Sequence, residues 1–326
     1  MSIERNHHTT VIDGGFSTQL AEYVGSNIDG DPLWSARFNA VQPEAVIQAH
    51  LDFLNAGAEI ILTNTYQASI QGYKEYLKLN DEESYELIKS TVKLAHVARD
   101  KYISSNCENT NLKRPLIFAS IGPYGAHLHD GSEYTGSYEN KVSVGTIKKW
   151  HKVRIQACIE AGVDGLAIET IPCLMEARAV VDLLLEEYPD VKFWVSFQCK
   201  VDGNAVANGD SFSESVRSIC KQVEAARKRQ NLVAVGINCI QPGFVTELFK
   251  EVEKEVQDFN IPLVVYPNSG EVYTVEEGWH GKNDCKPLEE YIEEWIKLGA
   301  GYIGGCCRTN ANDIRKIKEE IDALKN

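Results

Sequence analysis

Three times the chain closes an amphipathic stretch on glycine and enters a β-branched run: "NAGAEIILTNT", "EAGVDGLAIET" and "KLGAGYIGGCC". Glycine suits the left-handed position that ends a helix, so each segment reads as helix, glycine, strand. A unit of that kind, repeated, is the sequence form of a β/α repeat. Strands are predicted at 10–15 (TVIDGG), 59–65, 115–122, 164–170, 192–199, 232–239, 262–268 and 301–307. Between them lie stretches with apolar residues at i, i+3 and i+4, such as "QPEAVIQAHLDFLNAG" and "SYELIKSTVKLAHVARDKY", which predict helices. "PGFVTELFKEVEKEVQDF" and "PLEEYIEEWIKLG" are read the same way, each as one helix.

Near-continuous apolar strands are those buried on both faces of a parallel sheet. Eight such strands, each followed by a helix, predict an α/β fold: a single (β/α)8 TIM-type barrel spanning residues 1–326 as one domain. An open doubly wound sheet is the alternative, but no Gly-rich phosphate fingerprint follows the first strand.

With 47 acidic against 33 basic residues the formal net charge is −14, which argues against a nucleic-acid partner. No apolar run approaches the ~20 residues that cross a bilayer, and "MSIERNHHTT" lacks the apolar core of a signal peptide. Nine cysteines, an odd number without framework spacing, predict a reducing, cytoplasmic setting.

In a barrel, chemistry sits at the C-terminal ends of the strands. Those ends carry Asp13-Gly14-Gly15, Asn64-Thr65-Tyr66, Ser120, Glu169-Thr170, Gln198-Cys199, Asn238-Cys239, Asn268-Ser269 and Gly305-Cys306-Cys307. Strands six and eight both border the barrel mouth, so Cys239, Cys306 and Cys307 are expected to converge. Three thiolates that leave one coordination position open describe a catalytic zinc site. Gly304 and Gly305 would let the backbone turn both neighbouring sulfurs toward one ion. The pair is also compatible with a buried cysteine beside a chance neighbour, or with a vicinal disulfide. Cys107, Cys158, Cys220 and Cys285 fall on helices or loops and are read as inert; Cys173 and Cys199 are read as packing residues. A three-thiolate zinc suits a soft fourth ligand, a substrate thiol. Such a thiol, only roughly 3% ionised at pH 7 on its own, is deprotonated by coordination.

"DGGFST", "GINC" and "GGCCRT", in that order and spacing, resemble the zinc-dependent homocysteine S-methyltransferase family. The resemblance covers nearly the whole chain and is nearest to its short S-methylmethionine and S-adenosylmethionine users. It implies a (β/α)8 barrel with one Zn2+ held by Cys239, Cys306 and Cys307, the residues that also act in catalysis. It implies that Asp13, Gly14, Gly15 and Glu169 hold the amino-acid end of homocysteine, and that Asn238 orients the site. It places Trp34, in the first loop, near a sulfonium methyl donor, with methionine as product; Tyr66, at the end of the second strand, is a further aromatic candidate for that donor. The betaine branch carries a C-terminal extension and a tyrosine where this chain has Thr170. Its absence here disfavours betaine and predicts a monomer acting on small molecules. Selenocysteine as acceptor, and a non-catalytic redox-sensing barrel with the vicinal cysteines cycling to a disulfide, stand as alternatives.

Overall fold

The computed structural model describes residues 9–25, 28, 30–200, 205–274, 278–281 and 285–325. Its main sheet has eight parallel strands. They are β1 (Thr10–Val11), β2 (Ile60–Leu62), β3 (Leu116–Ile121), β4 (Gly165–Ile171), β5 (Phe193–Phe197), β6 (Leu232–Asn238), β7 (Leu263–Tyr266) and β10 (Ala300–Ile303). The order is β1-β10-β7-β6-β5-β4-β3-β2. A parallel bridge between Ile12 and Ile60 joins the two ends, with Glu59 N–H donating to Val11 O at 2.8 Å and Asp13 N–H to Ile60 O at 3.0 Å. The ring is therefore closed and leaves no open sheet edge, as the repeat of strand and helix required.

The outer layer is helical: α1 (Phe16–Val24), α2 (Phe38–Val41), α3 (Pro43–Asn55), α4 (Ile70–Leu77), α5 (Asp81–Ser105), α6 (Val144–Glu160), α7 (Leu174–Glu187) and α8 (Phe212–Ala225). It continues with α9 (Val245–Glu251), α10 (Glu253–Asp258), α11 (Ile292–Lys297) and α12 (Ala311–Ala323). The three punctuating glycines, Gly57, Gly162 and Gly299, all take left-handed φ, at 102°, 90° and 106°. A side chain is strained at such angles, so glycine fixes where each of these helices stops. α5 starts on a capping box, Asn80 accepting from Glu83 N–H while Glu83 accepts from Asn80 N–H; such a cap contributes ~1 kcal/mol.

Two differences from the expected elements matter. The single helix expected after β6 is two, because Val252 N–H closes a tightened i→i+3 bond to Phe249 O (3.2 Å) and breaks the 3.6-residue repeat. A short antiparallel hairpin, β8 (Val272–Thr274) with β9 (Gly278–His280), is inserted after β7; its period-two alternation is too short to stand out in sequence.

Alternate strand residues point into the barrel. Ile12, Ile60, Leu62, Phe118, Ala167, Trp194, Ala234, Val264 and Tyr266 fill it. Trp194 is the central plug: it stacks on Phe118 with ring centroids 4.7 Å apart and donates its indole N–H to the Tyr266 hydroxyl at 3.0 Å. Apolar below and polar above, this plug closes the barrel floor, so any ligand is confined to the C-terminal mouth.

Candidate active site

The three cysteines converge. The Sγ atoms of Cys239, Cys306 and Cys307 lie within 4.8 Å of one another, and Cys239 and Cys307 are 3.8 Å apart. Among the described residues no other group of His, Cys, Asp or Glu gathers ligand atoms this closely. Cys173 and Cys199 are buried in the packing and take no part in the cluster. Four sulfurs around one zinc at 2.3 Å form a tetrahedron with edges of about 3.8 Å, so the observed pair fits a shared ion.

How the backbone brings the sulfurs together is specific. Cys239 takes a left-handed φ of 55° and Arg308 one of 66°, turns that non-glycine residues adopt only where the surroundings hold them. Cys239 N–H donates to Tyr266 O (3.1 Å) and Cys306 N–H to Pro267 O (2.8 Å), anchoring both ligand segments on the end of β7. The glycines beside them serve close approach rather than left-handed turns. A Cβ on Gly305 would stand 2.2 Å from Thr309 Oγ1, one on Gly304 2.7 Å from Asp13 O, and one on Gly15 2.3 Å from Cys306 O. Gly15 N–H is already engaged, donating to Thr309 O at 2.9 Å and to its Oγ1 at 3.1 Å. Gly15 thus lies against the cysteine turn, with its amide engaged by Thr309. Arg308 is held by Glu271, with Nε and Nη2 donating at 3.2 and 3.1 Å.

Asn238, one residue before a cysteine, is the hub of the next layer. Its Oδ1 accepts from Thr170 N–H (2.8 Å) and from the Ser196 hydroxyl (2.7 Å), and its Nδ2 donates to Thr170 Oγ1 (2.8 Å). Those bonds hold Thr170 at φ 59°, an angle costly for a β-branched residue, and Thr170 follows Glu169.

Two carboxylates face the barrel mouth with little to neutralise them. Asp13 is buried; one oxygen accepts Leu62 N–H at 2.7 Å while Oδ1 has no partner among the described residues. Burial first, and the charge of Glu169 after it, push its carboxyl well above the usual range. Glu169 accepts from the Ser120 hydroxyl and is pushed up to about 7, chiefly by burial, with Cys307 adding to the rise. Two buried carboxyls, of which Asp13 is raised in part by Glu169 and keeps an orphaned oxygen, suit a cation. Among the thiols, hydrogen bonds from Cys239 and Cys306 pull Cys307 well below its ordinary value, and the same contacts push Cys306 up. Three neighbouring thiols cannot all ionise without a positive charge between them.

Trp34 and Tyr66 meet edge to face, centroids 6.0 Å apart. Burial, then the charges of Glu133 and Cys239, raise the Tyr66 phenol. Their support was not foreseen. Asn64 grips the first loop, accepting from Ser35 Oγ (2.6 Å) and donating to Ser35 O and Asn39 Oδ1 (2.8 Å each). Buried Arg154 donates to Gly122 O, Thr65 O and Tyr66 O at 3.2, 3.1 and 2.8 Å. Glu176 accepts Tyr124 N–H and His151 Nε2 at 2.7 Å each. The signal for Arg154 and Glu176 was a charged residue on an otherwise apolar helix face, which sequence alone does not separate from a solvated one.

A closed parallel barrel with a three-sulfur, cation-ready mouth defines the molecule as a thiol-handling barrel enzyme. Residues 10–321 match the family model described as Homocysteine S-methyltransferase. The chain is 49% identical over 312 residues to a Drosophila melanogaster protein named Betaine-homocysteine S-methyltransferase, covering 95% of this chain and 93% of that one. It is 42% identical over 330 residues to Homocysteine S-methyltransferase 1 of Brassica oleracea var. italica, covering 98% and 95%. The metallated form of the Escherichia coli homocysteine methyltransferase MmuM superposes with a TM-score of 0.80 at 34% identity, covering 96% of both chains. The chain belongs to the homocysteine S-methyltransferase family and is a methyltransferase. That membership sets the redox-sensing alternative aside. The Drosophila relative also attaches the betaine name to a protein of nearly this length, so chain length does not separate the donors.

Proposed function

We propose that this chain moves a methyl group from a sulfonium donor, S-methylmethionine in the first place, to the sulfur of homocysteine, with one zinc ion held by Cys239, Cys306 and Cys307. The observation that carries the reading is the mutual approach of three sulfurs within 4.8 Å, at the strand ends that also carry Asp13, Glu169 and Tyr66. Bound there, zinc would supply the positive charge that lets a substrate thiol ionise at neutral pH.

The protein's own residues do the rest. Asp13 Oδ1, which has no partner among the described residues, and Glu169 accept the ammonium of homocysteine, and the Ser120 hydroxyl keeps Glu169 in place. Asn238 fixes the backbone on either side of this pocket. Trp34 and Tyr66 offer ring faces to the sulfonium, each worth ~0.5–2 kcal/mol, and exclude water from charges that disappear as the reaction proceeds. The substrate thiolate attacks the methyl carbon, a sulfur–carbon bond forms, and the donor's sulfur–carbon bond breaks with its electron pair passing to the departing thioether. From S-methylmethionine and homocysteine, both products are methionine. Holding nucleophile and methyl carbon in line supplies the larger part of the acceleration.

No helix among the described residues is long and apolar enough to cross a membrane, and the exposed large hydrophobics, such as Tyr23, Val41, Val97 and Val153, lie on separate helices. These features support a monomer acting on small molecules, and the odd cysteine count supports a cytoplasmic setting. The test is direct: purified chain, reduced and zinc-replete, is assayed for methionine from homocysteine with S-methylmethionine, S-adenosylmethionine and betaine in parallel. S-methylmethionine is expected to give the highest kcat/KM. Faster turnover with betaine would overturn the donor assignment, and no turnover with any donor would overturn the whole reading.

A further inference from the structure

β5 sends Trp194, Ser196 and Gln198 into the barrel. Trp194 plugs the floor, and Ser196 Oγ meets Asn238 Oδ1 at 2.7 Å and the Tyr266 hydroxyl at 2.6 Å. Phe197 and Cys199 face the other way, into the layer between strands and helices; the Phe197 ring centroid lies 6.1 Å from that of Phe212 on α8. Gln198, between them, points inward by the alternation of a strand. Backbone bonds carry that alternation past the end of β5: Gln198 N–H donates to Ile171 O at 3.0 Å and Ala207 N–H to Gln198 O at 2.9 Å.

Gln198 is only 8% exposed, yet its amide is nearly idle. Oε1 is buried and has no partner among the described residues, and Nε2 makes one long bond, to Cys199 O at 3.3 Å. That bond fixes which way the amide faces, because turning it over would set Oε1 against the Cys199 carbonyl. Beside it on β6, since Phe197 pairs with Ile237, Asn238 spends its own amide on Thr170 and Ser196. A buried amide oxygen without a donor is costly unless a ligand brings one.

Height along the strand shows which substrate brings it. Ile168 pairs with Val195, so Glu169 stands level with Ser196, and Gln198 lies roughly 7 Å nearer the opening. The one ammonium of homocysteine is taken at the lower level by Asp13 and Glu169, which leaves the Gln198 oxygen to the second substrate. The ring offered to that substrate leans toward the same place. Tyr66 follows β2; a Cβ on Gly122, just past the end of β3, would stand 2.7 and 2.8 Å from its Cδ2 and Cε2, and its phenol meets the Thr170 side chain on β4. The next strand in the ring is β5.

We propose that Gln198 Oε1 accepts from the ammonium of the methyl donor, and so selects sulfonium donors that are also α-amino acids. This rests on the function proposed above. The ammonium survives the reaction, so a contact to it holds the donor equally before and during transfer and lowers KM without slowing the chemical step. Being neutral, the amide adds little attraction for the sulfonium charge that disappears, which a carboxylate in its place would hold back. Betaine carries no N–H on its nitrogen and cannot satisfy this oxygen.

The test assays zinc-loaded enzyme, saturated with homocysteine, on two methyl donors: S-methylmethionine and (3-carboxypropyl)dimethylsulfonium, the same sulfonium without its ammonium. The unaltered enzyme is expected to favour the first by at least about tenfold in kcat/KM, the worth of one hydrogen bond to a charged group. A ratio near one overturns the assignment before any variant is made. In Gln198→Met, an apolar side chain of like length, KM for S-methylmethionine should rise about tenfold while kcat changes less than about twofold. The ratio between the donors should then close, with KM for homocysteine held within about twofold. Equal loss on both donors, an unchanged ratio, or a rise in KM for homocysteine instead would each overturn it. An unaltered enzyme that fails with S-methylmethionine overturns the parent reading, so the two failures are distinct.

Discussion

Cys239 Sγ lies 3.8 Å from Cys307 Sγ although 68 residues separate them. β7 stands between the strands that carry them, and both ligand segments hang from its end through Tyr266 O and Pro267 O. Replacing Cys239 with Ser removes a ligand from one strand only. Zinc affinity should fall by at least about a hundredfold and methionine formation should vanish, while the melting curve in the presence of chelator stays close to that of the unaltered chain. Zinc retained at one per chain in Cys239→Ser would remove Cys239 from the site.

Asn238 tests whether the layer behind the sulfurs matters. Asn238→Ala strands the buried Thr170 N–H, at ~1–3 kcal/mol, and takes from the buried Ser196 hydroxyl one of its two partners, the Tyr266 hydroxyl at 2.6 Å remaining. It also frees a strained backbone beside Glu169. The expected result is a loss of about 2–4 kcal/mol in urea unfolding together with weaker zinc binding. An Asn238→Ala chain as stable as the original would contradict the hub role.

Gly15→Ala is a one-carbon change with a defined clash. Its Cβ would stand 2.3 Å from the carbonyl oxygen of Cys306 and 3.0 Å from the carbonyl carbon, so the cysteine turn has to move. Activity should drop more than a hundredfold, because displacements near 1 Å are that costly to positioned chemistry. Gly145→Ala on α6, where the nearest atom is Ser143 Oγ at 3.8 Å, is the neutral control. Comparable losses in both would mean the steric account is wrong.

His50 sets an acid limit on the fold. It is fully buried on α3, neither ring nitrogen has a partner among the described residues, and it packs on Phe16 with centroids 4.5 Å apart. Burial lowers its pKa from 6.5 to about 3. The unfolded chain therefore takes up this proton below pH 6.5 while the folded chain does not, so stability falls with falling pH between 6.5 and about 3. The slope from this group is ~1.4 kcal/mol per pH unit. His50→Leu should flatten unfolding free energy against pH between 6.5 and 5; two parallel curves would refute the assignment.

The barrel was legible because its signals are local and repeated. Gly57, Gly162 and Gly299 mark the same joint three times, and all three take the left-handed angle that the residue type implied. The break at Val252 and the hairpin after β7 were not legible, since each turns on a few backbone bonds rather than on a period. For the site, strand ends gave the cysteines, Asp13 and Glu169 their common location. What Gly15 does was hidden: its contact is with Cys306 and Thr309, nearly the whole chain away. Arg154 and Glu176 were hidden for a related reason. A charged side chain shows its purpose only through what lies opposite it, and that is decided by tertiary packing.

The seal between Gly15 and the turn at Cys306 has a consequence for assembly. The sulfur cluster draws on the sixth and the last barrel strands and is locked by residues that follow the first. A partly formed barrel therefore offers no competent cradle. Metal uptake should behave as an end-point signal, arriving only once the circle of strands is complete, so that capture of the ion doubles as the protein's own check that it has been put together correctly.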